Sequence, residues 1–279
     1  MKKFTDLIIT KNKQIAPEIF DMYLKADELP PIQPGQFVML YVGKGEHILP
    51  RPISICDVYE AEKTIRLVYQ VVGKGTEIFS QAKPGDVLKA ILPLGNGFDI
   101  KEGDKFALVG GGIGVPPLLY TARKLLEANP NAQVTVFLGF KSDKYLDGAF
   151  RELNVRRITS TSGVNTDTLF TPDFEKTGYH VKVEVSTDDG KHDTKGNVMK
   201  TIGDEFFPYV YACGPRPMLK AIAEYAEKRE ADAQISAEER MACGIGACVG
   251  CVVKMKDGSY KKACVDGPVF DSKEVSFDE

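Results

Sequence analysis

Short apolar stretches alternate with turn residues over the first hundred residues of the chain. Turn signals such as Gln33-Pro34-Gly35-Gln36 and Lys83-Pro84-Gly85-Asp86 separate several of these stretches, which are rich in β-branched and aromatic residues. Even spacing of this kind predicts an antiparallel β-barrel or sandwich over residues 1–100, ending at the breaker Pro93–Gly97. The stretches that predict strands are DLIIT, FDMYLKA, QFVMLYV, PISICDV, TIRLVYQVV and VLKAIL.

Strands and helices alternate after residue 104. The apolar run Phe106–Val109 leads into a glycine-rich turn, and apolar residues at 118, 119, 122, 125 and 126 then cover one face of a helix. VTVFLGF, VKVEV and PYVYACG indicate further strands, and a helix with Pro217 at its start extends to about Arg229. This alternation predicts an α/β nucleotide-binding domain with a mostly parallel sheet over residues 101–232. Residues 142–178 follow no clear pattern and receive no assignment.

The last residues, 233–279, predict a small loop-rich module that a cofactor organises, because cysteines and glycines are concentrated there. A chain of 279 residues, 43% hydrophobic and 27% charged, suits two globular domains with such an appendage. The formal net charge of -3 argues against a nucleic-acid surface. No apolar run reaches the ~20 residues that cross a bilayer, and MKKFTDLIIT is not a signal peptide, so a cytoplasmic location is expected.

Four of the six cysteines fall between residues 243 and 264. Their C-x4-C-x2-C-x12-C spacing is that of plant-type [2Fe–2S] proteins, in which one tight loop supplies three thiolates. Glycines between these ligands let the backbone pass close to the sulfides, and a hairpin turning at Asp257-Gly258 leads to the fourth. The sequence therefore predicts a [2Fe–2S] cluster bound by Cys243, Cys248, Cys251 and Cys264.

Structural zinc is the alternative for these cysteines, because four thiolates also satisfy tetrahedral Zn²⁺. Zinc sites usually combine two short C-x2-C pairs, whereas this chain has one four-residue gap and one isolated ligand. The spacing favours iron and sulfide. Colour distinguishes the two, because an iron–sulfur flavoprotein is brown-yellow and a zinc protein is colourless.

The barrel contains two segments, RPIS and VYQVVGKGT, that together resemble the flavin-binding strands of the ferredoxin–NADP⁺ reductase superfamily. By this resemblance Arg51 neutralises the FAD phosphates, Ser54 bonds near the flavin N5 edge, and Tyr69 packs on the flavin or its ribose. A half-buried strand tyrosine is the alternative for Tyr69. Gly75 and Thr76 would offer backbone N–H groups and a hydroxyl to the pyrophosphate. The predicted FAD-binding residues are Arg51, Pro52, Ile53, Ser54, Val68, Tyr69, Gln70, Gly75 and Thr76.

A glycine-rich turn between a predicted strand and a helix indicates the nucleotide site. Such a turn presents backbone N–H groups and the positive helix end to a phosphate, although tight packing alone also explains it. A C-G-P turn ends a later strand, and ligands of open α/β sheets bind at the carboxyl ends of strands. In the same superfamily this turn lies beside the nicotinamide, so Cys213 is expected to line the site, with a buried structural cysteine as the alternative. The predicted NAD-binding residues are Gly111, Gly112, Gly114, Cys213, Gly214 and Pro215.

NAD is favoured over NADP, because no arginine pair for a 2′-phosphate follows the VTVFLGF strand, where only Lys141 and Ser142 stand. Asp188 and Asp189 follow a later strand and are interpreted as solvated loop carboxylates, with nucleotide contact as the alternative. The three histidines are scattered, so no catalytic acid or base is nominated.

The flavin segment, the nucleotide segment and the cysteine cluster follow one another over nearly the whole chain. This order, with RPISI, PLGNGF, GGGIGVPPL, STDDG, YACGP and MACGIGACVGC, resembles the electron-transfer subunits of class 1B dihydroorotate dehydrogenases. The resemblance implies an electron path from the reduced FMN of a partner subunit through [2Fe–2S] and FAD to NAD⁺. It also implies a heterotetramer of two such chains and two FMN barrels holding dihydroorotate, with the cysteine module at the interface.

Two alternatives remain open at this point. The nearer is another reductase of the superfamily, such as a subunit of a ferredoxin:NAD(P)H oxidoreductase or the reductase of an oxygenase, and the co-purifying partner distinguishes it. The more distant is a non-enzymatic zinc-binding module without flavin.

Overall fold

The computed structural model describes residues 2–43, 49–151, 153 and 180–278. Its N-terminal part is a six-stranded antiparallel barrel. The barrel strands are β1 (Lys3–Ala16), β2 (Ile19–Lys25), β3 (Phe37–Leu40), β4 (Arg51–Tyr59), β5 (Thr64–Gln70) and β6 (Val87–Leu94). The barrel closes in the order β1-β2-β5-β4-β3-β6. All six predicted strands are therefore present, and they close as a barrel rather than a sandwich.

A short helix that the sequence pattern does not predict, α1 (Lys74–Gln81), packs against the barrel. Phe79 of this helix is fully buried among the barrel residues. Asn12 of β1 donates hydrogen bonds to the carbonyl oxygens of Phe79 and Ala82 at 2.8 and 2.9 Å, and so fixes the C-terminal end of the helix. Its N-terminal end, beside Gly73, is consequently held next to the start of β4.

The predicted α/β domain is a seven-stranded sheet with helices packed on both faces. Its strands are β7 (Lys105–Gly111), β8 (Gln133–Phe140), β9 (His180–Thr187), β10 (Thr194–Lys195), β11 (Tyr209–Cys213), β12 (Asp232–Ser236) and β15 (Val269–Asp271), and its helices are α2 (Pro116–Ala128), α3 (Met199–Ile202) and α4 (Arg216–Arg229). The order is β10-β9-β8-β7-β11-β12-β15, and every pairing is parallel except β12 with β15. Among the described residues, no helix is long and apolar enough to cross a lipid bilayer.

The C-terminal residues contribute both to this sheet and to a separate hairpin. Strands β13 (Val252–Lys254) and β14 (Tyr260–Lys262) pair antiparallel around the predicted Asp257-Gly258 turn, where Gly258 has a φ of +83°. Strand β12 crosses the predicted boundary at residue 232, and the division of the chain at that point stays a prediction. Of the unassigned residues 142–178, the structure describes only 142–151 and 153, and the others lie outside the described residues.

A buried ion pair holds the barrel against the α/β sheet. Arg123 of α2 donates through Nε to Asp57 of β4 at 3.0 Å and through a second nitrogen to the Val58 carbonyl oxygen. Asp57 is 3% exposed. Tyr120, also on α2, donates to the carbonyl oxygen of Ile32 at 3.1 Å. Breaking one partner of a buried pair is strongly destabilising, so these contacts fix the cleft between the two domains.

Candidate functional site

A cavity of about 270 Å³ lies where the barrel, the sheet and the C-terminal segment meet. The parallel strands direct their carboxyl ends at it, which is where ligands of open α/β sheets bind. Strands β4 and β5 form its barrel side, and the end of β11 forms its sheet side. The sequence-predicted residues that line it are Pro52, Ile53, Ser54, Val68, Tyr69, Gln70, Thr76 and Cys213.

A cationic cradle lies beside this cavity, at the start of β4 and of α1. The Arg51 guanidinium packs directly on Gly75, and a Cβ at Gly75 would lie 2.3 Å from Arg51 Nε. Only glycine therefore permits this approach. The helix N-terminus adds free backbone N–H groups and a positive dipole end, which bind anionic phosphate. The hydroxyl of Thr76 accepts from Val72 N at 3.0 Å and orders this turn. These residues fit a pyrophosphate, as FAD binding requires.

Tyr69 is more deeply placed than a half-buried strand tyrosine. It is 2% exposed, lines the cavity and stacks on Phe20 with ring centroids 5.8 Å apart. Its hydroxyl lies 3.2 Å from Asn12 Oδ1 and donates a hydrogen bond to it. Desolvation by burial raises the pKa of Tyr69, so the ring presents a neutral, fixed surface to the cavity.

A second cavity, of about 210 Å³, lies at the carboxyl ends of β7, β8 and β9. Three of the predicted NAD-binding residues, Gly111, Gly112 and Pro215, line it. Gly114 lies outside its lining, where a Cβ would lie 2.3 Å from the Cys213 carbonyl oxygen. Glycine is needed there because the two turns touch through their backbones. The Cys213-Gly214-Pro215 turn thus reaches both cavities, with Cys213 in the first and Pro215 in the second.

Cys213 is a buried, neutral thiol. Desolvation by burial is the main reason that its pKa is raised to about 12, and the Glu238 carboxylate raises it further. A hydrogen bond with Ser236 acts in the opposite direction. A thiol with this pKa is protonated near neutral pH and is a poor nucleophile. The environment therefore suits a residue that lines the site.

The four clustered cysteines lie together beside the barrel as two side-chain pairs. The Cys243 side chain interacts with Cys248, and the Cys264 side chain interacts with Cys251. Within the described ranges, no three His, Cys, Asp or Glu residues converge on a single ion position. Two pairs of thiols match a two-iron cluster, in which each iron takes two thiolates. This pairing favours the [2Fe–2S] prediction over mononuclear zinc.

Backbone N–H groups point at the sulfur atoms of this loop. Ile245 N and Cys248 N lie 3.5 and 3.4 Å from Cys243 Sγ. Although desolvation raises the pKa of Cys243, these donors outweigh it and lower the pKa to about 6. Gly244 has a φ of +69°, and a Cβ there would lie 2.5 Å from Met39 Cγ of β3. The loop therefore favours thiolates and packs tightly on the barrel.

Comparison with known proteins agrees with this geometry. Residues 238–276 match the family model described as the iron–sulfur cluster binding domain of dihydroorotate dehydrogenase B. The chain is 38% identical over 274 residues to the dihydroorotate dehydrogenase B (NAD(+)) electron transfer subunit of Caldanaerobacter subterraneus subsp. tengcongensis, covering 96% of this chain and 97% of that protein. It is 37% identical over 281 residues to the same subunit of Streptococcus mutans, covering 98% of each. The chain belongs to the family of dihydroorotate dehydrogenase B electron transfer subunits. The resemblance predicted from the sequence motifs is thereby confirmed.

Solved structures place this family in a wider fold group. The chain superposes on the NADH-dependent reduced ferredoxin-NADP oxidoreductase with a TM-score of 0.76 and 29% identity, covering 97% of this chain and 90% of that one. It also superposes on the cytochrome P450 reductase GcoB of Amycolatopsis with a TM-score of 0.64 and 21% identity, covering 82% of this chain and 66% of that one. The second likeness shows the fold alone. The predicted combination of barrel, α/β domain and iron–sulfur module is confirmed.

Sequence reasoning missed part of the wall of the first cavity. They lie at the end of β12 and in the segment after it, at the start of β3, and in turns elsewhere in the chain, and they are Phe37, Val72, Ile113, Ser236, Ala237, Glu238, Glu239, Met241 and Pro268. Ligands of open α/β sheets bind at the carboxyl ends of the strands. Because β12 runs parallel to β11, this rule would have indicated the segment after β12. Glu238 is exposed to the cavity, and desolvation by its walls raises the pKa of the carboxyl group.

Tyr145 is a further polar residue near this wall. Its hydroxyl is buried and forms no hydrogen bond within the described part of the chain. Burial first, and the neighbouring Glu238 and Cys213 next, raise its pKa. No sequence signal marks it, because it falls in the stretch without a clear pattern.

Proposed function

We propose that this chain is the electron-transfer subunit of an NAD-linked dihydroorotate dehydrogenase. It receives electrons when a partner FMN subunit oxidises dihydroorotate to orotate, and it delivers them to NAD⁺. Family membership supports this function, and one observation carries it. The C-G-P turn lines both the first and the second cavity, and the cysteine loop packs against the barrel that forms one side of the first. When bound, FAD links one- and two-electron chemistry, and a [2Fe–2S] cluster carries single electrons.

The barrel residues bind and orient the flavin. Arg51 and the N-terminus of α1 would hold the pyrophosphate, because a guanidinium forms charge-assisted bonds with phosphate oxygens. Ser54 offers a hydroxyl near the redox edge of the ring. The apolar walls, including Phe37 and Val68, exclude water from that edge. We assign these roles from position and chemistry.

The α/β residues bind the nicotinamide nucleotide. Gly111 and Gly112 precede helix α2, whose positive end binds the nucleotide pyrophosphate. The C-G-P turn would hold the nicotinamide, because Cys213 lines the first cavity and Pro215 the second. Hydride transfer between these rings needs no general acid or base, and none is assigned. A cytoplasmic location is proposed on the cysteine ligands, because thiols persist in a reducing compartment.

The partner is expected to bind at the cysteine loop. Ile245, Val249 and Val265 surround the cysteines and are 50, 55 and 38% exposed. Val249 is held at a φ of +56°, which is strained for a β-branched residue and is typical of functional sites. An apolar rim of this kind marks an interaction surface. It also lets a partner approach the cluster closely enough for electron transfer.

Substituting Ile245→Glu is expected to weaken association with the FMN subunit by at least about tenfold, because it places a charge in a desolvated contact. Iron content should stay unchanged, because Ile245 contributes only its backbone N–H to the cysteine loop. Phe206→Glu, on a distant loop and 47% exposed, is the matched control. Sedimentation of the purified complex measures both. Equal association of the two variants would place the partner elsewhere.

The proposed function is tested by reconstitution. The chain and its FMN partner are purified separately under argon and mixed with dihydroorotate and NAD⁺. NADH should form only when both proteins are present. If this chain oxidises NADH with an artificial acceptor but never supports dihydroorotate-dependent NADH formation, it is instead the reductase of another system.

A further inference from the structure

A lysine from the neighbouring hairpin fastens the cysteine loop at its centre. Lys262 ends strand β14, and its ammonium donates a hydrogen bond to the Gly246 carbonyl oxygen at 3.0 Å. Gly246 lies between Cys243 and Cys248, where the loop turns with a φ of +86°. The bond therefore joins the loop that carries these two cysteines to the hairpin that leads to Cys264.

The acceptor of this bond belongs to a peptide group that also faces a cysteine. The Gly246 carbonyl oxygen and the Ala247 N–H are the two polar ends of one planar peptide unit. Desolvation raises the pKa of Cys243, and hydrogen bonds from the backbone, that of Ala247 among them, lower it. A cation on the carbonyl oxygen strengthens the N–H at the other end, because hydrogen bonds in a chain polarise one another. Lys262 therefore acts on the Cys243 sulfur through one peptide group.

Gly246 also reaches the second cysteine pair. Desolvation is the main reason that the pKa of Cys264 is raised, and a hydrogen bond from the Gly246 backbone acts in the opposite direction. Successive N–H groups of the loop thus face sulfur atoms of different pairs. The carbonyl oxygen of Lys262 accepts from Val265 N at 3.1 Å and Asp266 N at 2.8 Å, which closes the turn around Cys264. Lys262 is consequently placed where the two halves of the cysteine site meet.

The preceding lysine has a different environment. Lys261 is adjacent on the same strand, so its side chain points to the opposite face of the hairpin. Its ammonium pairs with the Glu274 carboxylate at 2.8 Å. Among the residues that the structure describes, Lys262 forms no ion pair, and a carbonyl oxygen is its acceptor. A carboxylate therefore offsets the charge of Lys261 but not that of Lys262, and the chain itself supplies a matched control.

We propose that Lys262 is a positioning residue that raises the reduction potential of the [2Fe–2S] cluster. Reduction adds one electron to the cluster, so a cation and the N–H donor that it polarises stabilise the reduced form more than the oxidised form. Net charge and hydrogen bonds to sulfur set the potential of such clusters, and groups behind the ligands tune a metal site. This inference rests on the cluster of the proposed function and adds the residue that adjusts it.

The test compares Lys262→Met with Lys261→Met in the co-purified complex. The complex is titrated with dithionite and redox mediators, and the electron paramagnetic resonance signal of the reduced cluster gives the reduction potential. Lys262→Met should lower the reduced-to-oxidised ratio at a fixed ambient potential by about tenfold, or ~59 mV for one electron, because a charge and a polarised donor are lost. Lys261→Met should change the ratio by less than about twofold, as expected for an exposed ion pair. Lys262→Arg keeps the charge and the donors and should restore most of the wild-type ratio.

An unchanged ratio in Lys262→Met, or equal changes in the two methionine variants, would overturn the proposal. If Lys262→Met binds no iron, Lys262→Arg decides the matter. Iron content and a potential near those of the wild type then support the charged bond, and any other result overturns it. A wild-type complex that binds zinc and gives no cluster signal also overturns it. Because dithionite supplies the electrons, the potential is measurable even if dihydroorotate-dependent NADH formation, and with it the proposed function, fails.

Discussion

Replacing Cys248 by serine is expected to remove the iron–sulfur cluster and all dihydroorotate-dependent NADH formation. Cys248 is exposed, so the substitution changes little of the folded core. A serine hydroxyl does not replace the thiolate that completes the pair with Cys243. Losing only an outer-shell partner costs about 10–100-fold in metal affinity, and losing a ligand is expected to cost more. Iron and sulfide content, the visible spectrum and the NADH formed with the FMN subunit measure the effect.

A second cysteine provides the control for this prediction. Cys56 is fully buried in the barrel, far from the cluster in sequence, and desolvation raises its pKa. Cys56→Ala should lower the free energy of unfolding by about 1 kcal/mol through lost burial and leave the iron content unchanged. Ferricyanide reduction by NADH should survive in Cys248→Ser, because the flavin cavity does not include that residue. Full iron content in Cys248→Ser would show that another group completes the cluster.

Replacing Arg51 by alanine is expected to weaken FAD binding by roughly 10–150-fold, the equivalent of one lost hydrogen bond to a charged group. The guanidinium is the cation that packs on the N-terminus of α1, and alanine leaves the pyrophosphate with the helix dipole alone. Arg51→Lys should restore part of the affinity, because it keeps the charge but not the planar fork. FAD fluorescence during dilution, and flavin retained on gel filtration, give the affinity.

Glycine substitutions at the same turn distinguish a specific effect of Arg51 on FAD binding from a general loss of stability. A Cβ at Gly75 would displace the Arg51 side chain, whereas a Cβ at Gly73 meets no atom within 4 Å. Gly75→Ala is therefore expected to weaken FAD binding with little change in melting temperature, since a flexible side chain can move. Gly73→Ala should leave FAD affinity nearly unchanged. Equal loss in both variants would assign the effect to the backbone of the turn and not to Arg51.

The sequence predicts those features whose signals are local. The barrel strands carry their own apolar pattern, and the turns between them carry proline and glycine. The signal for the predicted cysteine ligands is also local, because Cys243, Cys248 and Cys251 lie in a single loop. The glycine turn before α2 is predictable for the same reason. In each case a few neighbouring residues determine the conformation or the chemistry.

Features that depend on tertiary packing are not predictable in this way. Helix α1 has only eight residues and contains glycine near its start, and it is held by Asn12 and by burial of Phe79. The cavity wall around Glu238 and Met241 arises because β12 pairs with β11. No local sequence pattern specifies which strand pairs with β11.

Asp188 illustrates a different limit. The residue is exposed and also lines the second cavity, so its interpretation as a solvated carboxylate and its alternative as a nucleotide contact both stay predictions. Its place in the second cavity depends on strand register, which the sequence pattern leaves undefined.

The packing of the cysteine loop on the barrel connects the predicted cluster site with the first cavity. Met39 of β3 contacts Gly244 of the loop, and Phe37 of the same strand lines the flavin cavity. A single four-residue strand therefore touches both places.

The central claim is that electrons from dihydroorotate pass through this chain to NAD⁺. Its most direct test is the visible spectrum of the co-purified complex under argon, recorded after dihydroorotate is added and again after NAD⁺. The flavin and [2Fe–2S] bands should bleach with dihydroorotate and return with NAD⁺, with NADH formed in proportion. Bands that bleach with NADH but never with dihydroorotate would contradict the account and assign the chain to another electron partner.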